Sequence, residues 1–167
     1  MGIIKVVALR DGLEEFIAMC KAHPLTVNVP GLPESVNHTY RRGYGGQVYK
    51  TSQASAWESI ATMETKRAAL RAYGTSKLGI LKGAPVRLEI DFCRDTWRKK
   101  KKSESHLIVR PDVSNLVKLA EDALFRGLDL DDSAVVILQV QKVEVKGPVK
   151  TQLRLSFLPW DNNLKVS

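Results

Sequence analysis

Asp112, Lys118, Asp131 and Asp132 are the side chains of this 167-residue chain whose types and order could carry out a reaction. Asp112 follows a basic stretch and opens a helical segment. Asp131 and Asp132 open the next strand. If that helix crosses a sheet and the strand returns beside it, the carboxylates converge. Convergent carboxylates with open coordination positions suit Mg²⁺, which takes oxygen ligands and keeps several waters. Such an ion can activate a water and offset charge on a phosphodiester transition state. Lys118, further along the polar face of the same helix, could reach the scissile phosphate or the leaving oxygen. Each residue also has a plain structural reading: Asp112 as a helix N-cap, Asp131 and Asp132 as a turn, Lys118 as a solvated helix residue.

The elements that must position these groups are legible as patterns. Residues 113–127 place Leu116, Leu119, Ala120, Ala123 and Leu124 on one helical stripe, with Asn115, Lys118 and Asp122 opposite. Pro111 and Asp112 start this helix and Gly127 is expected to stop it. Val86, Leu88, Ile90 and Phe92 alternate with Arg87, Glu89 and Asp91, which predicts a strand with one wet face. Leu25–Val29 reads as a short strand ended by the turn cluster PGLPES. Ser52 is expected to cap a helix running to Tyr73, with Ala56, Ile60, Met63, Arg67 and Leu70 at helical spacing and Gly74 as its stop. Residues 133–145 form a strand, Gly147-Pro148 a turn, and 151–158 a strand pairing back as a hairpin. Residues 3–22 alternate between strand-like IIKVVAL and helix-like GLEEFIAMCKA, and their form stays open. The expected fold class is α+β: a mixed β-sheet of about four strands with helices packed on it. The domain limits are 1–24 as an N-terminal extension, 25–160 as the main domain and 161–167 as a polar tail.

The string RPDVSNLVKLAEDAL at 110–124, followed by GLDLDDSAVV at 127–136, resembles the signature of the RusA family. That family shows an Asp-x-Asp-Asn-Leu-x-Lys helix start, a downstream Asp-Ala-Leu, and an Asp-Asp pair opening the next strand. PESVNHTYR at 33–41 is similar to the family's Pro-x-Ser-x-Asn-x-x-Tyr segment, and the resemblance spans roughly residues 25–158. It implies a homodimeric Holliday-junction resolvase that uses Mg²⁺, with Mn²⁺ able to substitute, and makes paired symmetric nicks in DNA recombination and repair. By position it implies Asp112 and Asp132 as metal-binding acids, Lys118 as the catalytic lysine and Asp131 as a supporting or alternate ligand, beside Asn115. One departure stands out. Ser114 occupies the position of the second helix-start aspartate, and a hydroxyl is a weaker magnesium ligand without charge. Ser114 could hold a metal-bound water, Asp91 could supply the missing acid, or the site could be crippled.

The net charge of +8 favours polyanionic partners, because each cation that neutralises a phosphate releases a condensed counterion. The run Trp97, Arg98, Lys99, Lys100, Lys101 and Lys102 is the densest; its lysines suit phosphates, and Trp97 could stack on a base or tuck into the core. Arg110 beside Asp112 suits a phosphate clamp. Arg41, Arg42, Tyr44 and Tyr49, interleaved with glycines, form a second basic-aromatic patch for DNA or for a dimer partner. Two cysteines and three histidines, all scattered, make no zinc pattern and suit a reducing cytoplasm. No membrane-length apolar run and no secretory signal are readable. Two other readings stand beside the resolvase: a branched-DNA-binding protein that has lost cleavage through Ser114, and a general or RNA-processing nuclease on the same scaffold.

Overall fold

The computed structural model describes residues 2–97 and 111–159, with side chains from residue 12 onward. The chain runs α1 (Gly2–Ala22), β1 (Leu25–Pro30), α2 (Val36–Thr39), β2 (Tyr40–Arg42), β3 (Val48–Lys50), α3 (Ser52–Tyr73), β4 (Val86–Arg94), α4 (Val113–Leu128), β5 (Val135–Glu144) and β6 (Lys150–Phe157). Four strands form one mixed sheet in the order β1-β6-β4-β5, and β2 and β3 form a separate ribbon. The expected α+β class with a mixed four-stranded sheet is what the chain adopts.

Alternation decides the sheet's two faces. Leu88, Ile90 and Phe92 of β4, Leu153 and Leu155 of β6, and Leu25, Val27 and Val29 of β1 are buried in one core with Leu116, Leu119 and Leu124 of α4. The helices therefore lie on this face. Arg87, Glu89 and Asp91 point to the other, where Arg87 and Arg154 pair with Glu89 at 2.8 and 3.2 Å.

The hairpin expectation fails. β6 does not pair with β5; it inserts antiparallel between β1 and β4, while β5 runs parallel to β4 on the far side. Insertion gives both edges of β6 a ladder and buries Leu153, Leu155 and Phe157, whereas a β5–β6 hairpin would leave β6 one partner. The parallel β4–β5 pair is joined through α4, as a parallel crossover requires.

Residues 2–22 are a helix throughout. Its described part carries Leu13, Phe16, Ile17 and Cys20 at i, i+3, i+4, i+7, with Ile17 and Cys20 in the core. Burial pushes the Cys20 thiol up to about 11. The Tyr73 hydroxyl donates to the His23 carbonyl at 2.6 Å, tying the end of α3 to the chain just after α1.

α3 has the expected span but a different cap and a different buried face. Thr51, not Ser52, is the N-cap, its hydroxyl accepting from Ala54 N at 3.2 Å. Gly74 stops the helix at φ 72° as expected. Ala54, Ala61, Ala68 and Ala69 face inward, while Ile60, Met63 and Leu70 are exposed. The small residues win because α4 packs closely. A Cβ on Gly127 would sit 2.8 Å from the Thr65 side chain and 3.1 Å from the Thr62 carbonyl oxygen. Gly127 is thus a contact residue inside α4 rather than its stop, and Asp129 in the left-handed region, φ 58°, caps the helix end.

Candidate active site

α4 displays its polar face as a row. Asp112 is the N-cap residue, yet its side chain accepts no cap hydrogen bond. It forms no ion pair among the described residues, so the helix makes no structural use of this exposed carboxylate. Ser114 and Lys118 are i, i+4 neighbours, as are Lys118 and Asp122. The Lys118 ammonium lies 2.9 Å from Asp122 Oδ1 and 2.6 Å from Asp132 Oδ2. Asp132 opens a short 3₁₀ turn, Asp132–Ala134, that leads into β5. The parallel crossover therefore delivers the Asp132 carboxylate to the middle of α4.

Hydrogen bonds that Lys118 donates to Asp132 and then Asp122 raise its pKa well above lysine's ordinary value. A raised folded-state pKa keeps the ion-pair stabilisation intact below the ordinary lysine value and loses it only as pH climbs through the raised one. Lys118 is thus a fixed cation at neutral pH. Burial raises the Glu121 carboxyl; the charge of Lys118 lowers it, and those of Asp132 and Asp122 raise it further. Two acids thus pair with one ammonium on a chain of net charge +8. One consequence is measurable in a pH–rate profile. Up to about pH 10, the ordinary lysine range, wild type and Lys118→Arg should share one alkaline profile shape. A wild-type limb near pH 9 that the arginine variant lacks would contradict a permanently charged Lys118.

Asp132 lines a cleft with Asp122, Arg126 and Asp131. Asp112 and Asn115 line another with Glu34, Asn37 and His38, and no residue lines both. Asp132 therefore meets Asp122 across Lys118, while Asp112 opens onto the wall made by residues 34–38. Lys118 lies six positions after Asp112, about 9 Å along the helix axis.

Asp131 accepts from Ser133 N at 2.9 Å and so caps the 3₁₀ turn; the Ser133 side chain and then its backbone N–H lower the Asp131 pKa. Asp91 is corrected outright. It lies on the sheet face away from α4, where Gln141 Nε2 donates to it at 2.8 Å, so it cannot stand in for the acid missing at Ser114. Trp97 is also corrected as a stacking platform. It is 3% exposed. Its indole N–H lies 3.2 Å from each of the Phe92 and Val143 carbonyls, and Arg94 and Lys142 sit over the ring at 5.1 and 4.8 Å. Arg41 and Arg42 are exposed on β2 without ion pairs among the described residues. Arg98, Lys99, Lys100, Lys101, Lys102 and Arg110 lie outside the described residues.

Sequence reading missed Asp122, seen there only as part of a polar face. The helical i+4 spacing from Lys118 was the signal that could have found it. The acid and amide wall at Glu34 and Asn37 was also missed, because its approach to Asp112 is purely tertiary.

Among the described residues, no three His, Cys, Asp or Glu side chains form a metal-binding group. Magnesium commonly uses one or two carboxylates and completes its shell with water and substrate phosphate. Two carboxylate oxygens already converge on one cation here, with side-chain exposures of 28% and 41% that admit water. The donor set fits such an ion at Asp122 and Asp132.

The fold and the site together define a class: an α+β domain presenting an aspartate–lysine–aspartate cluster on an open helix face. The model of the endodeoxyribonuclease RusA family matches residues 30–156, and the chain belongs to that family. It is a family of nucleases acting on branched DNA junctions. No curated protein matches the chain. Among solved structures, a 2C-methyl-D-erythritol-2,4-cyclodiphosphate synthase in its CDP-bound form is similar over 81% of this chain and 99% of its own, at 16% identity and a TM-score of 0.30. That likeness is too slight to bear on fold or function. No helix among the described residues is long and apolar enough to cross a membrane.

Proposed function

We propose that the protein is a Mg²⁺-dependent, structure-selective endodeoxyribonuclease that resolves four-way DNA junctions by paired symmetric nicks, with Mn²⁺ able to substitute. The observation that carries this reading is Lys118 held between Asp122 and Asp132 on the helix bearing the family signature. Asp122 and Asp132 would hold the ion, which when bound lowers the pKa of a water and offsets phosphate charge. Lys118 would turn its ammonium to the phosphate or leaving oxygen and stabilise charge developing there. Asp112, whose side chain makes no cap hydrogen bond, faces the substrate from the helix start and orients a water. Arg41 and Arg42 engage phosphates beside that cleft. The proposed setting is the cytoplasm, on DNA.

The substrate reading is tested on a labelled four-way junction, with Mg²⁺ or with EDTA and with linear duplex and RNA as competitors. The expected result is metal-dependent cutting of the junction alone. Tight binding with no cut at any divalent metal would instead support the second reading, a junction binder weakened at Ser114. That reading has one specific observation behind it: Ser114 shares a helix face with Lys118 and brings no charge. A gain of cutting by Ser114→Asp would locate the weakness.

A homodimer is part of the proposal, since a junction with approximate two-fold symmetry offers two equivalent strands to a C₂ pair. What supports it is β5, an edge strand of ten residues with Val136, Ile137 and Leu138 exposed. An open edge of this composition is a template for pairing with another copy. Ile137→Lys should therefore shift the mass measured by light scattering from dimer to monomer. A dimer of unchanged strength would remove β5 from the interface.

A further inference from the structure

The β2–β3 ribbon ends in a feature that the catalytic reading leaves unused. Tyr44 at its tip is 105% exposed. Among the described residues the next most exposed large apolar side chain is Val48, at 62%, on the same ribbon. The tip is built to hold the tyrosine outward. Residues Tyr44–Gly46 form a 3₁₀ turn in which Gly45 and Gly46 take φ of 80° and 79°, and Gly43 N donates to the Gln47 carbonyl at 2.8 Å. Side chains other than glycine rarely adopt that backbone. Tyr49 lies back across the ribbon, its ring carbon 3.2 Å from where a Cβ on Gly43 would stand.

The root of the ribbon is anchored. Thr51 N donates to the Thr39 carbonyl at 2.8 Å, and Lys50 pairs with the buried Glu58 at 2.6 Å. Glu58 also pairs with Arg126 of α4 at 2.9 Å. The segment entering β2 supplies Asn37 and His38, which wall the Asp112 cleft. An exposed aromatic ring is thus carried on a braced arm rising beside the candidate active site. Arg41 and Arg42, exposed and without ion pairs among the described residues, flank it.

We infer that Tyr44 is the branch-recognition element: its ring stacks on a base face exposed at the junction's crossover while Arg41 and Arg42 hold the adjoining phosphates. The inference rests on the proposed substrate. Intact duplex hides its base faces, and a branch point exposes them, so one stacking ring on a cationic arm discriminates by structure and not by sequence. A protein partner would not need two unpaired guanidinium groups beside the ring.

The test measures affinity of the full-length protein for a four-way junction and for linear duplex, with Ca²⁺ in place of Mg²⁺ so that binding is read without cutting. Tyr44 contacts nothing in the core, so its variants should fold. Tyr44→Ala should weaken junction binding about tenfold, the effect of roughly one stacked base, and leave duplex binding unchanged. Tyr44→Phe and Tyr44→Trp should retain junction preference. A Tyr44→Ala protein that keeps wild-type junction preference overturns the inference and leaves the substrate reading standing. Equal weakening on both DNAs overturns it in favour of a general contact, and an altered oligomeric mass overturns it in favour of a protein contact. A wild type without junction preference contradicts the substrate reading and carries the inference down with it.

Discussion

Asp132→Asn should lower junction cutting by roughly a thousandfold, the scale of losing a major transition-state electrostatic contact, while junction affinity stays within a few-fold of wild type. Asp132 is placed by the 3₁₀ turn before β5 and meets Lys118 at 2.6 Å, so its charge serves the site. The amide keeps the shape and can still touch Lys118. It loses the negative charge that would grip a divalent ion and set the ammonium's position. Asp131→Asn is the internal control, because that side chain caps the turn through Ser133 N. It should lose far less activity and show instead a small drop in stability. The measurement is single-turnover cutting beside binding in Ca²⁺. If Asp132→Asn cuts at the wild-type rate, the assignment of this residue is wrong.

The second large effect is on stability. Gly127→Val should destabilise the fold by about 3 kcal/mol or more, at the upper end of overpacking costs. Gly127 is in α4 where that helix meets α3, and an added Cβ would overlap Thr65 at 2.8 Å and approach the Thr62 carbonyl oxygen at 3.1 Å. The carbonyl is backbone and cannot rotate away. Helix propensity alone predicts the opposite sign for Gly127→Ala, a gain of about 1 kcal/mol. The alanine variant therefore separates the two effects: a lowered urea midpoint shows that the α3–α4 contact dominates, and a raised one shows that the helices can move apart. Both readouts are independent of DNA.

The α4 stripe was legible because Leu116, Leu119, Ala120, Ala123 and Leu124 repeat at a helical period that only one buried face explains. β4 was legible for the same reason at period two. The inward face of α3 was not. Its aliphatic stripe Ile60, Met63 and Leu70 looks like a core face, but these three are exposed, while the tight crossing at Gly127 turns Ala54, Ala61, Ala68 and Ala69 inward, with Trp57 and Tyr73 buried beside them. The place of β6 was hidden too, since a Gly-Pro turn after a strand reads as a hairpin whichever neighbour the strand finally joins. At the site, Lys118 and Asp132 follow from the order of the motif. The part played by Asp122 required knowing which oxygen the ammonium reaches. Trp97 shows the limit of composition: within a run of lysines it looks like a DNA contact, but its N–H and its ring are both engaged inside the fold.

The account turns on where a divalent ion sits, and Mn²⁺ soaked into crystals of the protein with an uncut junction would locate it by anomalous scattering. The account predicts a manganese peak bonded to the carboxylates of Asp122 and Asp132, with the Lys118 ammonium turned toward a phosphate. A peak held elsewhere, with Asp132 still paired to Lys118, would contradict it.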